Sequence, residues 1–155
     1  MDDFLTLLVR THKLLQAASD EAMNRHGVRI GQNLILEALW ETDGLTPGEV
    51  AARARLPITT PTIVNTATRM EAAGLLTRRR DPNDGRLVRL YLTDRARAAR
   101  QPIQEARRRL EEHATATLTE EERRHLRTAL TKVIQQLDPD QATSSGDERN
   151  GRLDG

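Results

Sequence analysis

The chain has 155 residues, 24 basic and 23 acidic side chains and no cysteine. That suits one domain with its own core and excludes disulfides, thiol redox sensing and cysteine-based zinc sites. It opens with no basic-then-apolar leader, and no apolar run approaches the ~20 residues of a membrane span, so a cytoplasmic protein with no membrane contact is expected.

The first predicted element is an amphipathic helix over about 2–24, with Phe4, Leu8, Leu15, Ala18 and Ala22 near one face, ended by His26-Gly27. A second helix covers roughly 30–42, with Leu34, Ile35, Ala38 and Leu39 inward, and stops at Asp43-Gly44. Thr46-Pro47-Gly48-Glu49 then gives an N-cap, a proline in the first turn and the glutamate of a capping box, so a short helix carrying Val50, Ala51 and Ala54 begins there. After a break at Leu56-Pro57, Thr59-Thr60-Pro61 opens another helix, which runs to Ala73 and is closed by Gly74. Two strand-like runs follow within Leu75 to Thr93, joined by Asp81-Pro82-Asn83-Asp84-Gly85-Arg86. In the second run Val88, Leu90 and Leu92 alternate with Leu87, Arg89 and Tyr91, the period of a half-buried strand. Thr93-Asp94 starts a long helix towards Ala116, which Pro102 should kink or split. Thr119 and Glu122 make a second capping box, opening a last helix with Leu126, Leu130, Val133 and Leu137 on one stripe. Residues 140–155 are polar and read as a disordered tail.

Net charge conceals a segregation. Residues 50–110 hold 14 arginines against 5 acidic residues, and the segments on either side are net acidic, the footprint of nucleic-acid contact. With Phe4, Trp40 and Tyr91 as the only aromatics, a stacking platform for single strands is a poor fit, and double-stranded DNA is the expected partner. On a helical wheel of 62–73, Ile63, Ala67 and Met70 form the packing face. Thr62, Asn65, Thr66 and Arg69 form a second face of hydroxyls, an amide and a guanidinium, the groups that meet base edges and phosphates in a major groove.

The run LTPGEVAARARLPITTPTIVNTATRMEAAGLLTRRRDPNDGRLVRLYLT resembles the winged helix-turn-helix of MarR-type (multiple-antibiotic-resistance regulator) transcription factors. The wing with its Asp-Pro-x-Asp-x-Arg order is the most specific part, and the flanking helices extend the likeness to about residues 4–137. The fold it implies is mainly α with a small β-hairpin wing. Residues 1–139 would form a single domain, with the winged helix-turn-helix at about 45–93, and dimerisation helices at about 2–24 and 94–137. DNA contacts would come from Thr59, Thr60, Thr62, Asn65, Thr66 and Arg69 on the reading helix and from Arg79, Asp84 and Arg86 in the wing. The resemblance assigns Asp84 and Arg86 an ion pair that shapes the tip, with Arg86 entering the minor groove. The stretch from Glu49 to Thr62 exceeds the family's usual spacing and has Pro57 at its turn, which leaves open which of the three threonines touches DNA.

The resemblance further implies a homodimer matched to a palindromic operator, repression as the default, and release by a small effector, often an aromatic acid. Arg10, His12 and Trp40 are the candidate ligand-binding residues, Arg10 as a partner for a carboxylate and His12 as a hydrogen-bond donor. No cofactor and no metal site are expected: of the four histidines only His125 shares a helix face with an acid, Glu121. No nucleophile, phosphate-loop or paired-carboxylate pattern marks an enzyme. The competing readings are a winged helix that binds protein, a ligand-independent DNA-binding regulator and a metal-sensing relative.

Overall fold

The structure is a computed structural model that describes residues 1, 3–29, 31–54 and 56–138; the expected tail at 140–155 lies outside the described residues. Met1–Glu111 form one compact unit and the chain from Glu112 belongs to a second. Among the described residues there are seven helices and one two-stranded antiparallel sheet.

In the first unit, α1 (Phe4–Asn24) is capped by Asp3, whose carboxylate accepts the Thr6 N–H at 2.8 Å. Of α1 only Met23 is buried; Phe4, Leu5, Leu7, Val9 and Leu14 stand exposed. The turn after the helix holds Gly27, whose φ of +72° favours glycine, and a Cβ there would collide with the Arg95 guanidinium. Next, α2 (Gln32–Glu41) buries Ile35, Leu36, Ala38 and Leu39. Leu36, not Leu34, completes this face, because the helix turns its Ile35–Leu39 stripe fully inward and leaves Leu34 half-buried on a groove.

The Thr46 box forms as expected. In α3 (Pro47–Arg53) the Thr46 hydroxyl accepts the Glu49 N–H and Glu49 accepts the Thr46 N–H at 2.8 Å. Thr59 caps α4 (Thr60–Ala72), which packs on α2 and α3 through Ile63, Ala67 and Met70, all essentially without solvent contact. Gly74 follows with φ +73°. β1 (Leu76–Arg80) and β2 (Val88–Leu92) pair from Leu76↔Leu92 to Arg80↔Val88, and Leu45 bridges the other edge at Leu90. Leu76, Leu90 and Leu92 enter the core, whereas Val88, paired at the outer end of the hairpin, is exposed.

The expected long helix is split into α5 (Asp94–Ala98) and α6 (Arg100–Ala114). Pro102 has no N–H for the Ala98 carbonyl and its ring crowds that carbonyl, so the helix breaks one turn before it, at Ala99. In the second unit, α7 (Glu120–Leu137) starts from the Thr119–Glu122 capping box. It buries no residue completely, and Leu126, Leu130, Ile134 and Leu137 are exposed.

Candidate nucleic-acid interface

The packing of α4 determines what it offers outward. With Ile63, Ala67 and Met70 spent on the core, Thr60, Thr62, Asn65 and Arg69 remain exposed and Thr66 half-buried. Two of the three candidate threonines are engaged with each other: the Thr59 hydroxyl accepts the Thr62 N–H at 3.4 Å and lies 2.9 Å from the Thr62 hydroxyl. Thr60 has its side chain in solvent in the first turn of α4. At the other end of the helix, Arg78 of β1 donates through Nε to Glu71 at 2.7 Å and through Nη1 to Thr68 at 3.2 Å. These bonds tie the reading helix to the wing, and the Arg78 guanidinium, then its N–H, hold the Glu71 carboxyl below its usual range.

The wing root is built around a residue the sequence did not single out. Asp81 is buried at 8% exposure. Its Oδ1 accepts the Asn83 N–H at 2.7 Å and the Asp84 N–H at 2.9 Å, and its Oδ2 accepts from Arg89 Nε. Arg89, first of all, and then the two backbone donors keep the Asp81 carboxyl below its ordinary value. Arg89 also donates to the Gly44 carbonyl at 2.8 Å and lies 3.4 Å from Glu49. One guanidinium therefore joins the wing, the α2–α3 loop and the capping box of α3. The Glu49 carboxyl is lowered too, chiefly by the Thr46 N–H.

This corrects the expected ion pair. Asp84 does not pair with the Arg86 guanidinium; its carboxylate accepts the Arg86 N–H at 3.0 Å and shapes the tip through the backbone. Asp81 and Arg89 make the ion pair of the wing, because Asp81 lies at the root, where burial and two N–H donors favour a fixed carboxylate. The Arg86 side chain is left exposed at the tip. Arg79 sits over the Tyr91 ring, 5.2 Å from its centroid, and that ring in turn covers Gly44, where a Cβ would come within 2.8 Å of it. The available signal for Asp81 and Arg89 was their place in the turn and strand, but the period-2 reading put Arg89 among the solvent-facing residues.

The three candidate ligand residues are not brought together. His12 lines a 380 Å³ groove between α1 and the start of α2. Trp40 lines a 620 Å³ groove with Glu37, Arg53, Arg100 and Arg107, while its indole N–H donates to the Ala96 carbonyl at 3.0 Å. Arg10 is exposed on α1 and lines neither. Among the described residues no group of histidines and acids could hold a metal ion, and no helix is long and apolar enough to cross a membrane.

Comparison with known proteins places this geometry. Residues 26–87 match the MarR family. The HTH-type transcriptional regulator TtmR of Methylorubrum extorquens (strain PA1) is 38% identical over 72 residues, 46% of this chain; the match spans 36% of that relative's length. Among solved structures, a probable transcriptional regulator from Pseudomonas aeruginosa is 25% identical, with a TM-score of 0.73 over 86% of this chain and 98% of that one. The S. aureus MepR–DNA complex has the same fold at 22% identity, with a TM-score of 0.77 over 88% and 99% of the two chains.

Proposed function

We infer that this chain, a winged helix-turn-helix protein of the MarR family and not an enzyme, is a transcriptional regulator that binds duplex DNA. It acts as a homodimer on an inverted repeat, represses by occupying its operator, and is released by a small ligand. The observation that carries this reading is the outward face of α4, with Thr60, Asn65 and Arg69 exposed beside an arginine-rich wing. In the proposed complex α4 enters the major groove, where Asn65 and Arg69 have the donors and acceptors to discriminate bases. Thr60 and the backbone at the α4 N-terminus face phosphate, where the helix dipole favours an anion. Arg86 reaches the adjacent minor groove from a tip that Asp81 and Arg89 hold to the body of the fold.

Pairing of two copies is supported by uncovered apolar faces in both units: Phe4, Leu5, Leu7 and Val9 on α1, and Leu126, Leu130, Ile134 and Leu137 on α7. The groove between α1 and α2 suits a regulatory ligand, because α1 belongs to the proposed dimer scaffold and α2 to the body that carries α4. A ligand binding one arrangement of these helices better than the other shifts DNA affinity by that difference.

Selection from a random duplex library tests the function. The expected product is an inverted repeat whose half-sites lie roughly 10–10.5 base pairs apart, centre to centre, protected in a footprint. A folded, dimeric protein that enriches no sequence over the input would overturn the reading.

A further inference from the structure

Of the three large apolar side chains on α4, Ile63 and Met70 are buried and Val64 is 40% exposed. Val64 precedes Asn65 in the second turn, the N-terminal part of a reading helix that reaches base edges. Thr68 and Glu71 follow it at i+4 and i+7 and continue the same flank, the one tied to the wing through Arg78. Their polar groups are already engaged. The Thr68 hydroxyl donates to the Val64 carbonyl at 3.0 Å and accepts from Arg78 Nη1 at 3.2 Å. Glu71 accepts from Arg78 Nε at 2.7 Å and from the Arg78 N–H at 3.1 Å. Hydrogen bonding along this flank is therefore spent within the protein, and the Val64 isopropyl group is what it offers outward. Valine is also a poorer helix former than alanine, so an exposed one costs α4 a little stability in the free protein. In a major groove that group meets one apolar partner, since only thymine among the four bases carries a methyl on its groove edge.

We propose that Val64 is a specificity-determining residue that packs on the C5-methyl of a thymine in each half-site, beside the base that Asn65 contacts. The contact rests on the DNA-binding reading above and adds to it a base selected by shape and burial rather than by hydrogen bonding. Cytosine in the same place has no methyl to cover the isopropyl group, and its N4 amine would lose water without gaining an acceptor from Val64. The thymine methyl and the valine side chain leave water together, and no polar group is stranded.

Deoxyuridine keeps every hydrogen-bonding group of thymidine and lacks only the methyl, so it isolates this contact. The full chain is titrated by fluorescence anisotropy with the selected duplex, each symmetric pair of thymines being replaced in turn by deoxyuridine. Burial of one methyl is worth about fourfold in affinity, so at one pair the replacement should weaken wild type about fifteenfold and Val64→Ala less than about twofold. Val64→Ile, which keeps a branched surface, should retain the preference for thymine. Val64→Ala should melt within about 2 °C of wild type, because the position is exposed. Half-sites without thymine, deoxyuridine tolerated at every pair, or a loss that is equal in wild type and Val64→Ala would overturn the proposal and leave the DNA-binding reading standing. A protein that enriches no duplex overturns that reading and this contact with it.

Discussion

Replacing Ile63 and Asn65 by alanine, one at a time, separates the two faces of α4. Ile63 is fully buried, and alanine removes three carbons from the core. At ~0.8 kcal/mol per buried methylene the transfer loss is about 2.4 kcal/mol, and the cavity left behind brings the total to roughly 2–5 kcal/mol. For a chain of this length each kcal/mol lowers Tm by roughly 2–4 °C, so the melt should fall by roughly 4–20 °C. Asn65 lies about 200° further round the helix and is exposed, so its truncation should change stability by less than about 0.5 kcal/mol. On DNA the order reverses. Asn65→Ala should lose roughly 1–3 kcal/mol of discrimination between the selected duplex and a scrambled one. Ile63→Ala, assayed well below its melting temperature, should retain wild-type discrimination. Differential scanning fluorimetry and fluorescence anisotropy read the two effects separately. An Asn65→Ala protein that melts as low as Ile63→Ala, or an Ile63→Ala protein that melts with wild type, would refute this assignment of faces.

Arg86→Ala should weaken duplex binding and reduce the magnitude of its log–log salt slope by about two units, one for each protomer of the proposed dimer; an unchanged slope removes the tip from the interface. The Asp81 carboxyl is lowered in the folded state, so its contribution is complete above its unfolded value and is lost as pH falls through the lower folded one. Thermal melts should therefore decline in the acid range more steeply for wild type than for Asp81→Asn, and parallel curves would contradict the wing-root network. Leu130→Glu puts a charge into the exposed stripe of α7, and light scattering should find a folded monomer with weakened operator binding; a stable dimer would take this stripe out of the interface.

The parts of the fold legible in sequence were those whose partners are close in the chain. Both capping boxes join residues three apart, at Thr46–Glu49 and Thr119–Glu122, so spacing alone identifies them. Pro102 splits its helix through a clash with a carbonyl four residues back, again a local effect. The inward face of α4 followed from helical period because its whole length packs on neighbours. What sequence missed depends on distant chain. Arg89 reads as a solvent-facing strand residue until Gly44, 45 residues earlier, brings a carbonyl to it. Trp40 suggested a ligand contact, yet its indole N–H is taken by Ala96, 56 residues later.

The central claim is that α4 and the wing bind duplex DNA through the arginine-rich segment 50–110. The most direct test is the affinity of the wild-type protein for the selected duplex and for a scrambled one, titrated across salt concentration. Each neutralised phosphate contributes about −0.9 to the slope of log Kobs against log salt, so a dimer with several arginine contacts per half should give a slope steeper than about −4. The selected duplex should bind at least ~10³-fold more tightly than the scrambled one at physiological salt. A flat slope, or equal affinity for the two duplexes, would contradict it.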